Sequence, residues 1–259
     1  MTRLSTRRFV APLLLGPLSL SLAGAQQFVH VPGLLPGPAR WTEGLACVDV
    51  DGDGDLDLCF AEGEGFAAAG AKRQNVLLIN QLVETGTLAF LDESVARLGQ
   101  HLSNAKDVIA GDVNGDGWVD LLYLNAFNID TPFLYINQGP AQPGFFTLES
   151  AARGFTDVIN SASAQFGDLD DDGDLDVIFN DSGPSFLGNP GGKPRLYFND
   201  GAGNFTENTA AFGAPTKIGH MDVQLLDFDG DWDLDFLGIN RGTNGGVNHY
   251  LMLNDGTGT

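Results

Sequence analysis

Asp168-Leu169-Asp170-Asp171-Asp172-Gly173-Asp174-Leu175-Asp176 is an aspartate ladder that runs directly into the apolar stretch Val177-Ile178-Phe179. The same nine-residue pattern recurs at Asp49 to Asp57 (DVDGDGDLD), Asp112 to Asp120 (DVNGDGWVD) and Asp227 to Asp235 (DFDGDWDLD), each time followed by a short apolar segment. Oxygen-bearing side chains stand at positions one, three, five and nine. Alternate side chains of a tight loop converge on one point, and the carbonyl of position seven adds a further oxygen. Such an all-oxygen shell suits calcium better than magnesium, which keeps its waters and demands octahedral geometry. Two carboxylates about 5 Å apart at an effective dielectric of about 20 repel by roughly 3 kcal/mol, so several such pairs in nine residues need a counter-ion to close. Asp and Gly also build ordinary surface turns, but four chance copies of one ladder are not expected from that source. An EF-hand shares the first six positions and requires Glu at the twelfth, between two helices. Position twelve here is Phe60, Tyr123, Phe179 and Gly238, which excludes it.

Working outward, the first aspartates fall at 49, 112, 168 and 227, a period near 60 residues that decides the fold class. A second marker follows each loop, an apolar run ending in Asn80, Asn137, Asn199 or Asn254. A third precedes the later loops: Phe90, Phe146 and Phe205, each with Ser94, Ser150 or Thr209 four residues on and then Gly99, Gly154 or Gly213. Each repeat is thus a set of short segments rich in Val, Ile, Leu, Phe and Tyr, punctuated by Gly, Asn and Asp, with no helical period sustained over three turns. The expected class is all-β. A unit of about four strands cannot bury both its faces alone, and units packed side by side around an axis make a β-propeller of four-stranded blades.

The repeats resemble FG-GAP or VCBS repeats, the calcium-loop blades of the integrin α-subunit propeller and of many exported bacterial proteins. The resemblance covers Phe28 to Thr259 and rests on the aspartate ladders together with segments such as Leu196-Tyr197-Phe198-Asn199-Asp200-Gly201. It implies that each loop joins two strands of one blade and binds calcium, about four structural ions in all. The implied ligands are Asp49, Asp51, Asp53 and Asp57; Asp112, Asn114, Asp116 and Asp120; Asp168, Asp170, Asp172 and Asp176; and Asp227, Asp229, Asp231 and Asp235. Asp55, Trp118, Asp174 and Asp233 offer main-chain oxygen. Two loops depart from the pattern: Asn114 is neutral, and Trp232 replaces the glycine expected to take a left-handed conformation.

Residues 1–25 read as an export signal, with Arg3, Arg7 and Arg8 before an apolar core and Ala23-Gly24-Ala25 as a cleavage site. That core is too short and too broken by Pro12, Gly16 and Pro17 to span a membrane, so the expected location is extracellular, periplasmic or at the cell surface. The propeller region is residues 26–259. The formal net charge of -21 becomes -24 without the signal, and the four loops hold 19 of the 34 acidic residues. So acidic a chain argues against nucleic acid or an anionic membrane as partner.

Cys47 and Cys59 lie symmetrically two residues outside the first loop. They read either as two small buried thiols or as a cross-strand disulfide. No catalytic constellation stands out: His30, His101, His220 and His249 occupy unrelated places in the repeats, and the clustered carboxylates serve as ligands. The leading expectation is a non-enzymatic binding or adhesion module that meets a protein or glycan through the connections Ala61 to Gln74, Ala126 to Pro132 and Asp181 to Lys193. The alternatives are a lectin or carbohydrate-active enzyme like the polysaccharide-lyase propellers, or the N-terminal fragment of a larger multi-repeat protein. Four repeats suggest an incomplete ring that self-associates, or a four-blade ring whose last blade is completed by the N-terminal strand around Phe28.

Overall fold

The computed structural model describes residues 28–65, 68–183, 192–208, 220–240 and 249–256. The export signal at 1–25, most of the connection from Asp181 to Lys193 and the Thr209 and Gly213 markers lie outside the described residues. Leu34–Thr259 is one compact unit and Met1–Gly33 another. In the latter, residues 28–33 carry no regular element.

The first repeat runs through β1 (Thr42–Val48), β2 (Asp57–Glu62), the short β3 (Arg73–Gln74), β4 (Val76–Asn80), helix α1 (Leu82–Thr85) and β5 (Phe90–Asp92). Helix α2 (Ser94–Leu98) and β6 (Leu102–Ser103) lead to β7 (Ala105–Gly111), β8 (Asp120–Asn125), β9 (Phe133–Asn137) and β10 (Phe146–Leu148). Then come β11 (Ser161–Gly167), β12 (Asp176–Asp181), β13 (Arg195–Asn199) and β14 (Phe205–Glu207), and finally β15 (His220–Leu226), β16 (Asp235–Asn240) and β17 (Tyr250–Met252). Sheet 1 is β1-β2-β4-β5, sheet 2 is β7-β8-β9-β10, sheet 3 is β11-β12-β13-β14 and sheet 4 is β15-β16-β17, all antiparallel meanders. A β3-β6 ribbon ties the connection inside the first repeat to the entry of the second.

Strand side chains alternate between two faces, and here each face meets a different neighbour. Val108, Leu121, Tyr123 and Tyr135 of sheet 2 pack on Cys59, Leu77 and Ile79 of sheet 1. The opposite face of sheet 2, with Leu122, Leu124 and Leu134, packs on Val177, Phe179 and Tyr197 of sheet 3. Ile178 and Leu196 then meet Val223 and Phe236 of sheet 4. Burying a side chain such as Leu77, Leu122 or Leu134 completely contributes roughly 1.5–3 kcal/mol each, so each sheet depends on the next. The first strands of consecutive sheets adjoin. The described sheets form no closed ring, since Leu45 of sheet 1 and Leu251 of sheet 4 remain exposed on the two end faces.

The repeat markers have structural reasons. Ser94 Oγ and Ser150 Oγ accept the Leu77 and Leu134 N–H groups at 3.0 and 2.9 Å, taking over where the fourth strand leaves the third. Gly154, at φ +100°, lies so close to Phe205 that a Cβ there would meet its carbonyl oxygen. Phe155 follows and sits among the rings of Phe179, Tyr197 and Phe205.

The cysteines correct one expectation. Both thiols are free. The register pairs Cys47 with Leu58 and Ala46 with Cys59, so the two side chains point to opposite faces of sheet 1. Cys47 is exposed and Cys59 buried, and burial raises the Cys59 thiol pKa well above its usual range. Counting outward from the loop ends misses the register by one residue, because Asp57 already belongs to β2 and pairs with Val48.

Candidate metal centre

Each aspartate loop connects the first and second strands of its sheet. Its ninth residue is the first of the second strand, paired as Val48 with Asp57, Gly111 with Asp120, Gly167 with Asp176 and Leu226 with Asp235. That places the ninth carboxylate beneath the loop, buried in all four repeats. Its Oδ2 accepts the N–H of loop position two, from Val50, Val113, Leu169 and Phe228, at 2.8–3.1 Å. Its Oδ1 accepts the N–H of the asparagine that ends the third strand, Asn80, Asn137, Asn199 or Asn254, at 2.8–2.9 Å. A carboxylate has about four acceptor sites, so two remain for a cation. Burial raises the pKa of Asp57, Asp120 and Asp176 to about 7 despite these two bonds.

The upper half of the loop is wound by its own carboxylates. The first aspartate accepts the N–H of position six from Gly54, Gly117, Gly173 or Trp232. The fifth accepts the N–H of position seven from Asp55, Trp118, Asp174 or Asp233. This winding needs two left-handed residues. Position six has φ +101°, +87°, +93° and, at Trp232, +82°; position four has φ +74° at Gly52, +69° at Gly115, +61° at Asp171 and +87° at Gly230. Asp tolerates that region because its short polar chain bonds locally, whereas a bulky Trp is strained there.

Loops one and three bring their carboxylates together most completely. Oxygens of Asp49, Asp51 and Asp53 lie within 4.8 Å of one another, as do those of Asp168, Asp170 and Asp176. Asp51 Oδ1, Asp53 Oδ2 and Asp55 Oδ1 in the first loop, and Asp168 Oδ1, Asp170 Oδ1 and Asp174 Oδ1 in the third, are buried without a hydrogen-bond partner. Orphaned anionic oxygens are costly away from water, and a hard divalent cation is the partner they fit. Burial, reinforced by neighbouring aspartates, raises the pKa of Asp51 and Asp170, and that of Asp174 to about 6. The remaining Asp51 oxygen faces Arg97 at 3.3 Å, which fixes the carboxylate's orientation.

The other two loops differ. In the fourth, Asp227, Asp229 and Asp235 gather within the same span, on a more exposed surface, and the pKa values of Asp229 and Asp233 are raised, burial being the leading cause and Asp231 the next. In the second, Asp112, Asp116 and Asp120 form no comparable acidic group, and Asn114 turns its amide onto Asp116 Oδ2 at 3.1 Å. Trp118, at position seven, lays its ring against Gly52 in the neighbouring loop and Gly139 in the turn between β9 and β10 of its own repeat.

Two features escaped the sequence reading. Glu84, on α1, joins Asp53 and Asp55 in a further acidic group, while Asp55 Oδ2 accepts the Val83 N–H. The asparagine marker, moreover, is a seam. Asn137 Nδ2 donates to Val119 O of its own loop and to Val50 O of the preceding loop at 2.8 Å; Asn199 Nδ2 reaches Leu175 O and Val113 O, and Asn254 Nδ2 reaches Leu169 O. Position two therefore holds its own ninth aspartate by N–H and the next sheet by C=O.

Elsewhere, His101 is packed against Phe133 and Tyr135. No helix among the described residues is long and apolar enough to cross a membrane.

A tandem array of antiparallel meanders, each with an acidic hairpin loop between its first two strands, is the class this geometry defines. Within it, residues 112–179 match the family model of the FG-GAP-like repeat, a span that runs from the second loop through the third and into β12. The chain thus carries an FG-GAP-like repeat. No curated protein matches it.

Proposed function

We propose that the chain is an exported, calcium-stabilised repeat module that binds a protein or glycan partner and is not an enzyme. Each loop would take one calcium ion through side chains one, three, five and nine and the carbonyl of position seven. The ion supplies the positive charge that lets the carboxylates close. The protein supplies the rest: ninth aspartates anchored by two backbone N–H groups, and wound loops that hold the other oxygens inward. The six buried, unpartnered carboxylate oxygens of loops one and three carry this reading. The repeats are read as propeller blades because successive antiparallel meanders pack face to face in series, with the matched FG-GAP-like span as support, and FG-GAP repeats are often found in adhesion and binding proteins.

Calorimetric titration of the purified chain tests the metal assignment. Tight sites are expected at loops one and three and weaker ones at two and four; Asp168→Ala removes a tight site, and Asp112→Ala a weak one. Absence of calcium binding, or calcium fully displaced by equimolar magnesium, would contradict it.

A second reading, a lectin, draws on one cavity. A space of about 430 Å³ is lined by Pro38, Arg40, Trp41, Glu62, Arg73 and Gln74, among others. Its exposed Trp41 ring suits stacking on a sugar. A glycan array in which Trp41→Ala abolishes the signal would favour this reading.

A further inference from the structure

The shell assigned to each loop takes only the main-chain carbonyl of position seven and leaves that residue's side chain without a task. In the first loop the side chain is that of Asp55, which is 7% exposed. Its Oδ2 accepts the Val83 N–H at 3.0 Å, whereas its Oδ1 is buried with no hydrogen-bond partner. A carboxylate oxygen withdrawn from water is costly until another partner replaces the water.

Two more carboxylates reach the same point. Oxygens of Asp53, Asp55 and Glu84 lie within 4.8 Å of one another. Glu84 is brought there by the loop itself: Asp57 Oδ1 accepts the Asn80 N–H at 2.9 Å, Asn80 Oδ1 accepts the Leu82 N–H at 3.2 Å where α1 begins, and Asp55 holds Val83. Asp53 belongs to both acidic groups of this loop, since it also gathers with Asp49 and Asp51. Its Oδ1 accepts the Asp55 N–H at 2.9 Å, and its Oδ2 is buried without a partner. A carboxylate has about four acceptor sites, so Asp53 has room for two cations. Charge favours a second one. The five loop aspartates and Glu84 share one loop and one helical turn, and Arg97, which bonds Asp51, is divided with Glu93. A single divalent ion leaves this group with a net negative charge.

The other repeats lack the combination. Position seven of the second loop is Trp118. In the third, Asp174 Oδ1 is also unpartnered, but Asp200, the acid on the corresponding turn, already accepts the N–H groups of Ala202 and Asn204 at 3.0 and 3.1 Å. The acidic groups at loops three and four draw on positions one, three and nine alone.

We propose that Asp53, Asp55 and Glu84 hold a second calcium ion at the first loop, with Asp53 shared between the two ions. The proposal rests on the calcium reading of that loop. Three carboxylates and water give the hard, all-oxygen shell that calcium takes. Because Glu84 is exposed, this is the weaker of the two sites, filling at about 0.1–1 mM calcium.

Calorimetric titration of the full chain, carried to about 10 mM calcium, roughly ten times the upper value, counts the ions. Glu84→Gln and Asp55→Asn are each expected to bind one ion fewer than the wild type, with the tight phases of loops one and three retained within a few-fold. Asn at position 55 keeps the main-chain carbonyl and an oxygen for the Val83 N–H. The double variant also binds one ion fewer, because either change empties the same site. An unchanged count in Glu84→Gln, even with every site weakened, would make Glu84 a through-space charge on the first ion and overturn the proposal while leaving the loop reading intact. A double variant that loses two ions would overturn it as well. Calcium binding by none of these proteins would overturn the loop reading and the proposal together.

Discussion

Trp232 occupies the left-handed region at φ +82° in a place where the other three loops have glycine. A non-glycine residue held there costs about 1–3 kcal/mol, partly offset because glycine has more freedom to lose on folding. Trp232→Gly is therefore expected to stabilise the protein by roughly 1 kcal/mol and to tighten the fourth loop for calcium; a lower midpoint on thermal unfolding would contradict this. The cysteines make a second residue-scale test. Without reductant, an alkylating agent should label one thiol in the native protein, Cys47, and two after denaturation, as read by intact mass. Protection of both would restore the disulfide. The positions of the loop aspartates were legible because alternate spacing announces convergence. The second task of the ninth aspartate was not, because its donors belong to position two and to an asparagine 17–23 residues away.

Among elements, the strand-and-loop grammar of the repeats was readable because Asp, Gly and Asn punctuate apolar runs at a fixed period. What the spacing could not supply was register. One residue separates a pairing that brings Cys47 and Cys59 together from the observed one that sends them to opposite faces. Nor could it supply contacts between repeats: Asn137 and Val50 stand 87 residues apart in the chain. The seam yields its own prediction. Asn137→Ala strands two carbonyls, Val119 O and Val50 O, whereas Asn80→Ala strands only Leu56 O. The first should cost about 1 kcal/mol more than the second. Equal losses in denaturant titration would mean that the inter-sheet bond contributes nothing.

For the molecule as a whole, three cores in series and four acidic loops make stability depend on how the carboxylates are neutralised. Asp57, Asp120 and Asp176 have pKa values raised to about 7 by burial, against about 3.9 for an unfolded Asp. With metal removed, the native state binds more protons than the unfolded state between those values, so stability is greatest at low pH and falls as pH rises through 7. Chelated protein should therefore melt higher at pH 5 than at pH 8. A melting point that rises with pH in chelator would contradict the burial assigned to these groups. Calcium should reverse the trend, because it competes with protons for the same oxygens. The central claim is that calcium closes the aspartate loops. A site with a dissociation constant of about 10 μM adds roughly 2.7 kcal/mol in about 1 mM calcium, so occupied loops are worth much of a typical domain's stability. Thermal unfolding at pH 8 in calcium and in EGTA measures this most directly: the account predicts a clearly higher midpoint with calcium, and coincident midpoints would contradict it.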